Sequence, residues 1–171
     1  FNDTPAFRQL TMGSLIADVP NAVMILFLAA LVAAFILGKT ILGRYTIAMG
    51  SNEEATRLSG VNVANWKTGV YALGGFFSGL AGVVIASRLN SAQPALGIGY
   101  ELEAIAAVVI GGTSLSGGQG TILGTIIGAF IICTLTNGLR ILSVPQEWQM
   151  VVTGSIVILA VYLDIVRRRR A

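Results

Sequence analysis

Histidine is absent from this chain of 171 residues, and cysteine occurs once, as Cys133. Without histidine there is no histidine-based catalytic triad. A single cysteine can form no intramolecular disulfide and has no companion ligand for a metal ion. Because Cys133 stands in an apolar run, we interpret it as a small packed apolar residue. These absences predict a protein that is not an enzyme and that carries no metal or other cofactor.

Charge is also scarce. Only 11% of the residues are charged, 54% are hydrophobic, and the mean hydropathy is +0.79, whereas soluble domains carry about 25% charge. The 21 glycines suit close helix packing in lipid, and we predict small-residue packing faces at Gly75, Gly79 and Gly82 and at Gly124 and Gly128. The net charge of +3 does not indicate a nucleic-acid partner, because the basic residues are not gathered with aromatics on a polar face. The bilayer is therefore the expected environment.

Long uncharged runs predict the helices, since about 20 apolar residues cross a membrane. The run that follows residue 103 continues to residue 139 and is too long for one span, so the glycine-rich residues 111–120 must break it. We predict an all-α, polytopic membrane helix bundle with about four full spans and a short broken helix at 101–120. The expected spans are residues 19–38, 68–87, 121–136 and 148–166, and the short helix covers residues 101–110. A turn that contains Arg140 and Pro145 is expected at residues 137–147.

The longest polar segment, residues 39–67, separates the first two spans. Ser51 followed by Glu54 fits a capping box, and Gly60 fits the left-handed position that ends a helix. We therefore predict a short helix at residues 52–59, which is too short to be stable without a partner.

Positive charge predicts the topology, because lysine and arginine mark the cytoplasmic side. Segment 39–67 and the tail Arg167–Arg170 hold four basic residues each, so both are expected in the cytoplasm. An even number of crossings must then separate them, and helix 101–110 with part of the break is the candidate for the fourth. Such a break indicates either a substrate path or a packing break.

Two motifs that suggest enzyme chemistry are better explained otherwise. Leu115–Gln119 spells the signature pentapeptide of ABC ATPases, but the chain has no phosphate-binding loop, so we expect these glycines to let a loop bend and pack. Glu101 and Glu103 lie two apart on a predicted helix and do not face each other. They are expected at a solvated helix start.

Several stretches resemble the membrane permeases of ribose/xylose/arabinose-type sugar ABC importers, from about residue 20 to the C-terminus. Glu54–Gly60 is similar to the loop motif of ABC importer permeases, with Thr56 replacing its second alanine and its later part not visible. The other similar stretches are Gly43–Tyr45, Gly50–Glu53, Ala55–Gly60, Ser91–Pro94, Gly99–Leu102 and Ala104–Leu115.

This resemblance implies that residues 1–171 are one transmembrane permease domain, the C-terminal half of a longer multi-pass protein of the bacterial inner membrane. It implies three protein partners: a cytoplasmic ABC ATPase, a periplasmic sugar-binding protein, and a second permease copy or paralogue. Helix 52–59 would be the coupling helix, with segment 39–67 as the coupling loop. The ATPase contacts would come from Asn52, Glu53, Glu54, Arg57 and Gly60.

Residues of a substrate path follow less directly. Amides suit sugar hydroxyls and an aromatic ring suits a sugar ring, which makes Asn90, Gln93, Tyr100 and Asn137 the candidates. Contacts with the binding protein or simple loop capping would explain the same residues. The remaining alternatives are a permease for another solute (an autoinducer-like sugar or a branched-chain amino acid), half of a proton-coupled secondary transporter, and a purely structural membrane subunit.

Overall fold

The computed structural model of the protein describes residues 5–16, 19–91 and 97–170. In these residues the chain forms eight helices and one short antiparallel strand pair, β1 (Ser14–Ile16) with β2 (Val19–Pro20). The helices are α1 Pro5–Met12, α2 Asn21–Lys39, α3 Ile41–Ser51, α4 Glu53–Leu58, α5 Val63–Leu89, α6 Tyr100–Ile110, α7 Ile122–Ile141 and α8 Gln146–Arg170.

Three helices of the described residues, α2, α5 and α7, are long and apolar enough to cross a membrane. Helix α8 has 25 residues and contains the predicted span 148–166. None of the 19 residues of α2 is buried within the described structure, as expected for a helix that meets lipid or another subunit. The predicted all-α membrane helix bundle is confirmed.

The described residues form two compact units. The first is drawn from residues 1–46 and 59–96, and in it α1 packs on α5. The hydroxyls of Thr11 and Ser87 lie 2.8 Å apart at this contact, and both side chains are buried. The rings of Tyr45 and Trp66 meet edge to face, with centroids 4.9 Å apart.

The second unit is drawn from residues 47–58 and 97–171. Here α6 packs against α7 and α8, around a small core of Ala106, Ala107 and Ile132. The unit therefore contains both the short helix α4 and the helices that follow the glycine-rich break.

Glycines bring α6 and α7 into close antiparallel contact. A Cβ added at Gly124 would overlap the carbonyl oxygen of Gly111, and one added at Gly128 would overlap that of Ala107. Small residues allow this approach of two helix backbones in lipid, which confirms the packing face predicted from Gly124 and Gly128. An antiparallel short helix is also what the predicted fourth crossing requires.

Several predicted boundaries differ from the structure. Most of segment 39–67 is helical, because α3 occupies its first part and α5 begins at Val63. Helix α7 continues to Ile141, so Asn137 and Arg140 are helical and the predicted turn at 137–147 is wrong over its first half. The turn that follows places Ser143 at φ 56°.

The glycines of α5 do not meet a close neighbour in their own unit. No described atom of that unit lies within 4 Å of a Cβ built at Gly75, Gly79 or Gly82. The close helix contact that these glycines predict is thus not made among the described residues of the first unit.

Candidate functional site

Helix α4 is short, exposed and capped at its start. Asn52 Oδ1 accepts a hydrogen bond from the backbone N–H of Ala55 at 3.0 Å, which satisfies one of the free donors at a helix start. The predicted capping box is therefore wrong, because Ser51 is the last residue of α3 and Asn52 supplies the cap. The sequence alone could not decide between Ser51 and Asn52, because serine and asparagine are equally favourable N-cap residues.

The exposed surface of α4 is polar except for Ala55 and Leu58. Arg57 donates to Glu54 Oε1 at 3.1 Å, and these side chains are 69% and 75% exposed. Leu58 is 80% exposed. Gly60 follows the helix at φ +86°, the left-handed conformation predicted for the residue that ends it. All five predicted coupling residues are exposed: Asn52, Glu53, Glu54, Arg57 and Gly60.

The glycine-rich break packs against the end of α3, immediately before α4. A Cβ at Gly117 would lie 2.5 Å from the carbonyl oxygen of Gly50, and one at Gly118 would lie 3.0 Å from Cα of Ser51. Gly117 and Gly118 both have positive φ, which L side chains rarely adopt. The expectation that the glycines of the pentapeptide bend and pack a loop is confirmed.

Internal hydrogen bonds hold this loop in shape. Ser114 N–H donates to the carbonyl of Gln119, and Gly117 N–H donates to the carbonyl of Ser114, both at 3.1 Å. Ser114 is buried. The loop therefore links the residues just before α4 to the end of α6 and the start of α7 through backbone packing.

A cavity of about 270 Å³ lies at the other end of α6. The residues around it belong to the start of α6, the end of α7 and the start of α8. They are Ile98, Gly99, Tyr100, Leu102, Glu103, Thr136, Arg140, Gln146, Gln149, Met150 and Thr153.

Local hydrogen bonds fix the walls of the cavity. Gln149 donates its Nε2 to the carbonyl of Val144 at 2.8 Å, and Thr136 donates its hydroxyl to the carbonyl of Ile132 at 2.8 Å. Glu101 Oε2 accepts from the N–H of Gly99 at 3.1 Å, which holds the turn that enters α6. Glu101 thus holds the turn beside the cavity, whereas Glu103, two residues later in the same first turn of α6, lines the cavity.

The described residues among the four predicted for a substrate path are divided between the two units. Tyr100 lines the cavity. Asn137 is exposed on α7 and is not part of the lining. Asn90 caps the end of α5 in the first unit, with φ 52°. Gln93 lies outside the described residues.

Glu103 and Arg140 were missed as site residues by the sequence reasoning. Glu103 was assigned to a solvated helix start, and Arg140 to a turn. Their shared feature in the sequence is that each borders the uncharged stretch 104–139. One of these residues is acidic and the other basic. If the stretch between them is expected to fold back on itself, this charge pattern predicts that the two residues lie at the same end of the helix pair. Among the described residues, no group of three or more Cys, Asp or Glu side chains is placed to hold a metal ion.

Residues 2–161 match the protein family described as "Branched-chain amino acid transport system / permease component". The chain belongs to this family of permeases. It is 53% identical to the ribose import permease protein RbsC of Escherichia coli (strain K12) over 146 residues, which is 85% of this chain and 46% of that protein. The family resemblance predicted from the sequence is confirmed.

Two further relatives show how wide the similarity is within this permease family. Bacillus subtilis (strain 168) RbsC is 50% identical over 146 residues, 85% of this chain and 45% of that protein. The xylose transport system permease protein XylH of Escherichia coli (strain K12) is 45% identical over 153 residues, 90% of this chain and 39% of that protein. The chain spans about half the length of the curated relatives it matches. No solved structure matches it.

Proposed function

We propose that the protein is a membrane-spanning subunit of an ATP-driven ABC importer. It translocates a monosaccharide that a periplasmic binding protein delivers, and it couples to a separate cytoplasmic ATPase through α4. The similarity to permeases named for ribose and xylose supports the solute class. The family description supports a branched-chain amino acid as the second candidate.

The exposed, capped helix α4 is the observation that carries the coupling part of this proposal. A six-residue helix has little stability of its own, and the side chains of Glu54, Arg57 and Leu58 on it are exposed. A helix of this kind is suited to fit a groove on a partner, with apolar and polar anchors on one surface.

The contact between Gly50 and Gly117 gives the coupling a route. Helix α4 lies in the same compact unit as α6, α7 and α8, and the glycine-rich loop joins them through backbone atoms. Because packed backbones do not deform continuously, a push on α4 is transmitted to the α6–α7 pair. Movement of that pair would alternately open the solute path.

The test uses the full-length permease co-expressed with its ATPase subunit. We expect Glu54→Lys and Gly60→Trp each to abolish copurification of the ATPase and solute-stimulated ATP hydrolysis. Glu147→Lys makes the same charge change on the exposed start of α8; it is the matched control and should retain both. Retention of both activities by the two α4 variants would refute the coupling role.

Uptake assays with radiolabelled ribose, xylose and leucine separate the two solute candidates. We expect uptake of a sugar that requires ATP and the binding protein. Uptake of leucine alone would select the second candidate and leave the coupling role intact.

A further inference from the structure

We propose that the cavity between the start of α6, the end of α7 and the start of α8 is a binding subsite for a neutral polyhydroxyl solute. Glu103 and Arg140 are its principal polar contacts. That this subsite belongs to a transport path rests on the proposed function, but solute binding to it can be measured independently.

The lining favours a neutral ligand. It contains one carboxylate, from Glu103, and one guanidinium, from Arg140, so its formal charge is balanced. A carboxylate accepts hydrogen bonds from hydroxyl groups, and a guanidinium donates several in a fixed geometry. A polyhydroxyl ligand supplies donors and acceptors on the same carbon frame and can satisfy both side chains at once.

Uncharged polar groups extend the same chemistry around the wall. Tyr100, Gln146 and Gln149 add a phenol and two amides. Leu102 and Met150 contribute apolar surface that suits the C–H face of a sugar ring. Directional polar groups placed beside apolar surface in a concavity are typical of a small-molecule site.

The position of the cavity within its unit supports the proposal that it lies on a solute path. The glycine-rich loop follows the last residue of α6, whereas Glu103 lies near its first. Helix α6 has 11 residues, which corresponds to about 16 Å at 1.5 Å per residue. The cavity and the contact with α3 are therefore at opposite ends of the α6–α7 pair, so movement of that pair at one end changes the cavity at the other.

A zwitterionic amino acid is the principal rival ligand. Its ammonium group would face Glu103 and its carboxylate would face Arg140. The rival predicts that leucine binds and that ribose and xylose do not, so the two ligands are distinguished by direct binding.

The experiment measures binding of radiolabelled ribose, xylose and leucine to the purified full-length permease in nanodiscs, without ATPase or binding protein. We expect ribose or xylose to bind, and Glu103→Gln and Arg140→Gln each to weaken that binding about tenfold or more, as for loss of a hydrogen bond to a charged group. Arg140→Lys should recover only part of the affinity, because an ammonium lacks the planar fork.

Glu147→Gln is the matched control for Glu103→Gln. Both glutamates lie in the first turn of a helix, α8 and α6 respectively, but Glu147 does not line the cavity. The Glu147→Gln variant should bind the sugar with the same affinity as the wild type. Thermal melting of each variant in nanodiscs verifies folding. If Arg140→Gln does not fold, Glu103→Gln still tests the proposal, because glutamine has nearly the same shape as glutamate.

Three outcomes overturn the proposal: no sugar binding to the wild type, wild-type affinity in folded Glu103→Gln and Arg140→Lys variants, or binding of leucine alone. Copurification of the ATPase is scored separately. Its loss in the wild type would refute the proposed coupling without affecting the binding result, and normal copurification with unchanged sugar binding would refute only the subsite.

Discussion

Gly50 and Gly118 are so close that neither position accommodates a side chain without movement. A Cβ at Gly50 would lie 2.6 Å from the backbone nitrogen of Gly118, and Gly118 itself has φ +79°. Gly50 belongs to the last turn of α3, and Asn52, the cap of α4, follows two residues later. This contact therefore joins the predicted coupling helix to the glycine-rich loop.

Alanine at Gly50 should separate these two backbones. Because the nearest atoms are backbone rather than a flexible side chain, we expect the loop to shift at a cost of about 1–3 kcal/mol, as for other overpacked sites. In the assembled importer, solute-stimulated ATP hydrolysis should fall more than ATPase binding. Gly74→Ala in α5 is the control, because nothing lies within 4 Å of its added Cβ among the described residues. The Tm and the ratio of stimulated to basal hydrolysis are the measurements.

The pairing of α6 with α7 depends on Gly128. An added Cβ would overlap the carbonyl oxygen of Ala107, so Gly128→Ala should lower the Tm in detergent, and Gly128→Leu should prevent accumulation of folded protein. Gly138→Ala on the same helix meets no described atom within 4 Å and should leave the Tm at or above the wild-type value. Equal Tm values for the two alanine variants would contradict the observed packing.

The cap of α4 gives a prediction that separates Asn52 from Ser51. Asn52→Ala removes the acceptor for Ala55 N–H and should destabilise the isolated turn by about 1 kcal/mol. If α4 docks on an ATPase, the affinity of that complex should fall by roughly fivefold, and Asn52→Asp should restore it. Ser51→Ala should have no such effect. A stronger effect at Ser51 than at Asn52 would support the capping box expected from the sequence. Affinity is measured by titrating labelled ATPase against the permease in nanodiscs.

The ion pair on α4 is expected to matter for association rather than for folding. Arg57 and Glu54 are 69% and 75% exposed, and exposed pairs contribute about 0–1 kcal/mol. Arg57→Ala should therefore leave the Tm within about 4 °C of the wild type while weakening ATPase binding. A fall in Tm without a change in binding would assign Arg57 a structural role only.

The helices could be predicted from the sequence because uncharged runs and glycine breaks are local signals. Helix α3 could not be predicted in this way, because Lys39 precedes it and it contains Arg44 and two glycines, a composition that is typical of a loop. Its packing, such as the ring contact of Tyr45 with Trp66, is not visible in the local sequence. The helix at 52–59 was predicted to within one residue at each end.

The cavity depended on information that no single stretch contains. Tyr100 was predicted from its chemistry, but Glu103 and Arg140 are separated by 36 intervening residues and line the same cavity only because α6 and α7 are antiparallel. The turn predicted at 137–147 also placed Arg140 outside a helix. Close backbone approach at Gly111 and Gly124, rather than any charge pattern, determines which side chains border the cavity.

Topology is tested by cysteine accessibility in the full-length protein. After Cys133→Ser, a cysteine replacing Glu53 should be labelled by a membrane-impermeant maleimide only from the cytoplasmic side. A cysteine replacing Glu147 should be labelled only from the opposite side, since α7 separates it from the glycine-rich loop that contacts the α3 end. The native Cys133 is removed first because its side chain is exposed in the structure. Labelling of both positions from the same side would mean that α6 does not form the predicted fourth crossing, because the predicted topology places three crossings, α5, α6 and α7, between Glu53 and Glu147.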